Sequence, residues 1–153
     1  MTSAEIGKTI KILSNYLNRR LLQIPAFKNQ DEITPVQGMI LGFIIDEEGD
    51  VFQKDIEQMF TLRRSTVSGV LSSMEESGLI VRERVKSDAR LRKITATEKG
   101  KKQHSLIKSE LSGVEYHITA GLTDEEITAF LHTAEKIKRN LLKCQSDTSA
   151  PHL

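Results

Sequence analysis

The sequence predicts a mainly α-helical chain with a small β-hairpin wing. In fold terms this is a winged helix-turn-helix flanked by terminal dimerisation helices. Three observations point there. A short helix, a tight turn and a second helix rich in Ser and Thr follow one another between residues 53 and 77. An apolar–basic alternation then runs from Leu79 to Lys86 and returns from Leu91 to Thr95. Helical apolar stripes occupy both ends of the chain. The length of 153 residues suits a single domain, and 38% hydrophobic with 28% charged residues suits a soluble globular one. Aromatics are few and Trp is absent, so aliphatic packing must dominate the core.

The elements follow in order. Ile6, Ile10, Leu13, Leu17 and Leu21 recur at helical spacing, which predicts a helix over 6–22 that stops before Pro25. Thr34-Pro35 opens a second helix, Thr as cap and Pro in the first turn. Val36, Met39, Ile40, Phe43 and Ile44 are expected to face inward. The stretch Asp46-Glu47-Glu48-Gly49-Asp50 lacks the ligand alternation and closing Glu of a calcium loop, so it reads as a turn. A short helix over 53–59 should bury Ile56, Met59 and Phe60, and a turn around Thr61 follows it. The next helix has Val67, Val70, Leu71 and Met74 on its buried face and ends at Gly78 in a left-handed cap. The hairpin strands are separated by a turn at Ser87-Asp88-Ala89. Thr97 caps a long helix with Leu106, Ile107, Leu111, Val114 and Ile118 as its stripe. Gly121 breaks it. Thr123-Asp124-Glu125-Glu126 starts the last helix, which carries Ile127, Phe130, Leu131, Ala134, Ile137 and Leu141 toward Cys144. The expected organisation is an N-terminal dimerisation helix over 1–32, a winged reading head over 33–99, C-terminal dimerisation helices over 100–145 and a frayed tail over 146–153.

The overall charge of +1 hides an uneven distribution. From Thr61 to Lys102 there are eleven basic and five acidic residues, while the remainder holds eleven basic and sixteen acidic. Concentrated positive charge on a small segment is the footprint of a nucleic-acid partner. A solvated charged face is the plainer alternative. The helix before the hairpin favours DNA. Its outward side holds Arg63, Arg64, Ser65, Thr66, Ser68, Gly69 and Ser72, small enough to enter a major groove. Ser and Thr can hydrogen-bond to bases or phosphates, and Arg can grip guanine or phosphate with two parallel bonds. On the hairpin, Arg82 and Arg84 lie on the polar edge, and Lys86, Arg90 and Arg92 lie near the tip, where an Arg suits a narrow minor groove.

The segments "LRRSTVSGVLSSMEESGLIVRE" and "SDARLRKITATEKG" resemble the MarR family of bacterial transcription regulators. The second segment is similar to that family's wing signature, carried here by Asp88, Arg90, Ala96, Thr97 and Gly100. Ala96 stands where a larger aliphatic residue is usual. "TPVQGMIL" also resembles the family's second-helix start. The likeness extends from about Ile6 to Leu142. It implies a homodimer joined through the first and the last two helices. It implies that Arg90 reaches the minor groove, that Asp88 orients neighbouring basic groups, and that a small aromatic or anionic effector binds between the dimer helices and the reading head. It also implies repression. A two-fold pair of reading heads on a pseudo-palindromic double-stranded DNA operator agrees with the residue-level reading, because one head makes few base contacts.

Other chemistry finds little support. His104, His117, His132 and His152 show no i,i+4 metal spacing and read as surface residues, so no metal and no cofactor is expected. Cys144 is the single cysteine, which excludes an internal disulfide and fits a reducing compartment. No nucleophile–base arrangement or phosphate-cradling glycine loop points to an enzyme. Glu75-Glu76 reads as a solvated helix-end pair. No apolar run suits a signal peptide or membrane span, so the expected location is cytoplasmic. The alternative function is a winged-helix protein-interaction module without DNA binding.

Overall fold

The structure, a computed structural model, describes residues 4–28 and 33–147. The element order is α1 (Ala4–Leu21), α2 (Pro25–Lys28), α3 (Pro35–Asp46), α4 (Gln53–Phe60), α5 (Arg64–Glu76), β1 (Ile80–Val85), β2 (Asp88–Ala96), α6 (Glu98–Thr119) and α7 (Asp124–Asp147). This is the mainly helical fold with a two-stranded antiparallel hairpin that the sequence predicts. The chain divides into two compact units, Met1–Val114 and Glu115–Leu153.

The core of the first unit is aliphatic. Ile40 and Leu41 of α3, Ile56 of α4, Leu71 and Met74 of α5 and Ile107 of α6 are all buried. Their helices close around the base of the hairpin through Leu79, Ile80 and Ile94. Leu79 and Ile80 are adjacent and both buried, because the start of the hairpin is covered by the core before period-two alternation begins. Pro25 does more than follow α1: it opens α2, whose Ala26 N–H donates to the Glu110 carboxylate of α6 at 2.8 Å. Phe27 is thereby placed in the core.

The buried face of α3 is rotated from the expected one. Val36 and Met39, expected inward, are 44% and 57% exposed. Gln37, Gly38, Ile40, Leu41 and Ile44 take the inward positions. The cause is Gln37. Its carbonyl oxygen accepts the Thr34 N–H at 2.9 Å in a capping box, and its amide donates to Ser73 Oγ of α5 at 3.2 Å. A polar residue with both ends satisfied can be buried. Gly38 beside it lets the Phe27 ring approach to where a Cβ would stand 3.0 Å from the ring.

Met59 is another correction. It was expected on the apolar side of α4, but it is 59% exposed. The helix has only eight residues, so one inward position, Ile56, serves the core. Phe60 is half-buried and packs edge-on against Phe43, with centroids 5.9 Å apart. Thr61 then takes a left-handed conformation, φ 51° and ψ 44°, which turns the chain into α5. A direct check follows. Ile56→Ala is expected to cost about 3 kcal/mol, whereas Met59→Lys should change stability by no more than about 0.5 kcal/mol. Urea denaturation of the two variants measures both, and a large loss from Met59→Lys would contradict the placement.

The hairpin pairs in register from Ile80↔Ala96 to Arg84↔Arg92, and then slips to Val85↔Asp88. The turn therefore falls at Lys86 and Ser87 instead of Ser87-Asp88-Ala89, and β2 begins three residues before the expected Leu91. Ala89, Arg90 and Leu91 form a bulge on that strand. The Asp88 carboxylate holds it by accepting the Arg90 N–H at 2.9 Å. Val51 adds a short third pairing, accepting the Ile94 N–H at 2.8 Å. Next to it, Asp50 of the acidic turn forms an ion pair with Lys93 at 2.5 Å.

Gly78 has the left-handed conformation expected of a cap, φ 73°. On α6, Ile107 and Val114 are buried and Leu111 is half-buried, while Leu106 of the expected stripe is exposed. The apolar residues Ile6, Ile10, Leu13 and Leu17 of α1 are likewise exposed. In the second unit, Gly121 at φ 80° ends the turn after α6. Thr123 and Glu126 form a reciprocal capping box, with bonds of 2.9 and 3.2 Å, that starts α7. Phe130, Leu131, Leu141 and Leu142 of α7 are exposed. Among the described residues no helix is long and apolar enough to cross a membrane.

Candidate nucleic-acid interface

Helix α5 has two distinct sides. Val67, Leu71 and Met74 anchor it in the core. Arg64, Ser65, Thr66, Ser68 and Gly69 are exposed on the other side, with Arg63 exposed at the N-cap and Ser72 half-buried. An added Cβ at Gly69 would meet nothing within 4 Å, so the middle of this face opens onto free space. The Arg63 side chain does not cap the helix. The first-turn N–H groups, which have no partner within a helix, therefore stay available at its positive end. Gln53 of α4 ties the two helices of the motif together. Its amide donates to Glu57 at 2.9 Å and to the Arg64 carbonyl at 3.4 Å.

The wing lies beside the start of α5. Between them runs a groove of about 370 Å³, whose polar lining is Gln53, Lys54 and the one acidic residue Glu57 of α4, Arg64 of α5, and Arg82, Arg90 and Arg92 of the hairpin. Leu91 contributes an apolar wall. Arg64, Arg82, Arg90 and Arg92 thus meet in one concavity. Arg84 and Lys86 are exposed on the wing outside that lining. Gln53 and Lys54 were missing from the sequence-derived site. Their position at the opening of the first helix of the motif was the available signal, but only the fold shows them facing the wing. Clustered cations in a concave surface concentrate a positive field, which favours a phosphate backbone.

Arg82 differs from the other cations. Its side chain is 18% exposed and is engaged by Glu75 of α5. Glu75 is therefore not a free solvated residue as expected. The side-chain hydrogen bond from Arg82 is the main cause that holds its carboxyl below the ordinary 4.5, with further electrostatic help from Arg82 and Arg92. A depressed carboxylate pKa contributes stability above 4.5 that is lost as pH falls through the lowered value, so the pair is intact at neutral pH. Lys93, by contrast, has its pKa raised by its bond to Asp50, so its charge is largely answered within the protein.

The histidines separate into two kinds. His117 and His132 are exposed, as expected of surface residues. His104 is not: it packs on α3, where a Cβ on Gly42 would stand 3.2 Å from its ring, and its Nδ1 is buried without a hydrogen-bond partner. Among the described residues no group of three or more His, Cys, Asp or Glu could hold a metal ion. The Cys144 side chain, His152 and the tail beyond residue 147 lie outside the described residues.

The MarR family profile matches residues 32–91, from before α3 to the wing tip. Solved structures extend the likeness to nearly the whole chain. A MarR-family regulator from Listeria monocytogenes complexed with a 26mer DNA is 21% identical, covers 100% of this chain and 99% of its own, and superposes with a TM-score of 0.83. The S. aureus MepR–DNA complex is 26% identical, covering 93% of this chain and 97% of its own, with a TM-score of 0.71. CouR from Rhodococcus jostii RHA1, bound to p-coumaroyl-CoA, is 21% identical, covers 88% and 92% and has a TM-score of 0.76. The profile falls on the helix-turn-helix and wing described above, and the solved structures share the fold from α1 to α7, so over that region and in its fold the chain is similar to the MarR family of transcription regulators.

Proposed function

We propose that this protein is a site-specific, double-stranded-DNA-binding transcriptional repressor that works in the cytoplasm. The observation that carries the reading is the pairing of a small-residue helix face, open at Gly69, with an arginine-lined groove beside it. The helix fits a major groove. Ser65, Thr66, Ser68 and Ser72 offer hydrogen bonds there, and Arg63 and Arg64 stand at the end nearest the bases. The DNA complexes of the S. aureus and Listeria relatives support the same use of the fold.

Two further features belong to the proposal. The exposed apolar residues of α1 and of α7 each present a surface that a second copy would cover, and a homodimer places two reading heads on a pseudo-palindromic operator. CouR's thioester ligand supports a small aromatic or anionic effector for this chain. Such a ligand releases DNA by favouring a dimer whose two helices are wrongly spaced.

Fluorescence anisotropy on the DNA flanking the protein's own gene, beside random DNA and over a salt series, tests the reading. Each phosphate contact should add about 0.9 to the slope of log affinity against log salt. Arg64→Ala is expected to cost about 2 kcal/mol on the operator and to relax base choice, whereas Lys86→Ala should weaken all DNA alike and reduce the slope by about 1. Equal losses for Arg64→Ala on both DNAs would remove the base-reading role. Binding that is weak and equal on all DNA, including a randomised operator pool, would favour the protein-interaction module.

A further inference from the structure

Beyond the buried base of the hairpin, one carboxylate ties the end of α5 to the wing. Glu75 lies in the last turn of α5, and Arg82 lies in β1. Glu75 Oε2 accepts from Arg82 Nη2 at 2.5 Å and from Nε at 2.9 Å. Glu75 Oε1 accepts from the Arg82 backbone N–H at 3.3 Å. Side chain and backbone of the same strand residue are therefore held together. A guanidinium gripped through two nitrogens has a defined direction as well as a defined distance. The longer backbone bond adds a second point of attachment on β1.

Arg82 pairs with Ile94 across the hairpin, so a restraint on Arg82 passes directly to β2. Three positions beyond that pair in β2 stand Leu91 and the bulge with Arg90. The wing joins α5 through Ser77, Gly78 and Leu79, and Gly78 is a left-handed glycine that permits more than one exit direction. Arg92 adds attraction to the same carboxylate from the second strand.

We infer that Glu75 is a positioning residue for DNA recognition: by gripping Arg82 through side chain and backbone, it sets the wing against α5 so that Arg90 and Arg92 face the same groove as Arg64. Arg82 then serves recognition from the protein side, and the direct contacts fall to its neighbours. The inference rests on the DNA-binding reading above.

Two measurements on Glu75→Ala, Glu75→Gln and the exchanged pair Glu75→Arg with Arg82→Glu test it. In footprints of the DNA complex, Glu75→Ala should lose minor-groove hydroxyl-radical protection at the outer flanks, where the wing lies. It should keep protection of major-groove guanine N7, where α5 lies, with an overall affinity loss of about tenfold, the scale of one charge-assisted bond. Glu75→Gln should lose less, and the exchanged pair should regain flank protection. Loss of both protections in parallel with lowered stability would show a structural role only and overturn the inference. Amide hydrogen exchange on the free protein separates this from failure of the DNA reading. Glu75→Ala should speed exchange in β1 and β2 while α5 stays protected, and unchanged wing exchange would overturn the inference whether or not the protein binds DNA.

Discussion

Gly69→Glu is expected to abolish specific DNA binding while leaving the fold intact. Gly69 lies mid-helix on the exposed side of α5, with free space around the position of an added Cβ. Any side chain there is accommodated by the free protein. Replacing a mid-helix glycine should even raise stability, by about 0.5 to 1 kcal/mol, because glycine carries the larger entropy loss on folding. In the proposed DNA complex the same side chain would lie at the centre of the contact face, bringing bulk into the groove and a negative charge toward phosphates. Like-charge juxtaposition at an interface costs several kcal/mol, so specific affinity should fall by at least about a hundredfold. Thermal unfolding and anisotropy on one sample measure the two effects together. Gly69→Ala is the control for bulk alone and should weaken binding much less. A Gly69→Glu protein that binds the operator normally would show that α5 does not enter the groove by this face.

The second large effect is on folding. Gly100 sits in the first turn of α6, and its N–H donates to the capping Thr97 Oγ1 at 3.0 Å. A Cβ at this position would stand 2.2 Å from the Leu79 carbonyl oxygen and 3.2 Å from its carbon. Both are backbone atoms, so no rotamer change relieves the clash. The same junction is fastened by the Thr97 N–H donating to the Leu79 carbonyl at 3.0 Å and by the Thr97 hydroxyl donating to the Gly78 carbonyl at 2.6 Å. Moving α6 away from the hairpin would strain these bonds and uncover Leu79, which is buried. Gly100→Ala should therefore destabilise by about 3 kcal/mol, the upper end for overpacking. Here the usual helix benefit of alanine is outweighed by contact with backbone. Urea denaturation measures the loss, and a stability equal to wild type would mean that α6 can shift outward freely. The two glycines contrast: backbone packs against Gly100, whereas Gly69 faces open space in the free protein.

Much of this was legible in the chain before any tertiary information. The helix-turn-helix, the wing and the polar face of α5 follow from periodicity, caps and turn residues that act over a few positions. Gly78 and Thr97 illustrate it: both are local signals, and both appear where expected. The exposed Arg63, Arg64, Ser65 and Thr66 were readable for the same reason, since Val67, Leu71 and Met74 already define which side of a 3.6-residue helix is inward.

Tertiary structure decided what depends on partners distant in sequence. Two residues with similar local claims to the core, Met39 and Leu41, are separated by the bond from Gln37 to Ser73, 36 positions away. Arg82 and Arg84 looked equivalent on the strand, and only the end of α5 turns one inward to Glu75 and leaves the other exposed. Lys54 joins the arginine groove because the wing folds back beside α4. The sequence alone determined the main helices, the hairpin and the two sides of α5, because backbone propensity and side-chain period are local. Only the tertiary structure decided their rotation, their joint and the membership of the groove, because these depend on which distant group satisfies each buried polar or charged atom.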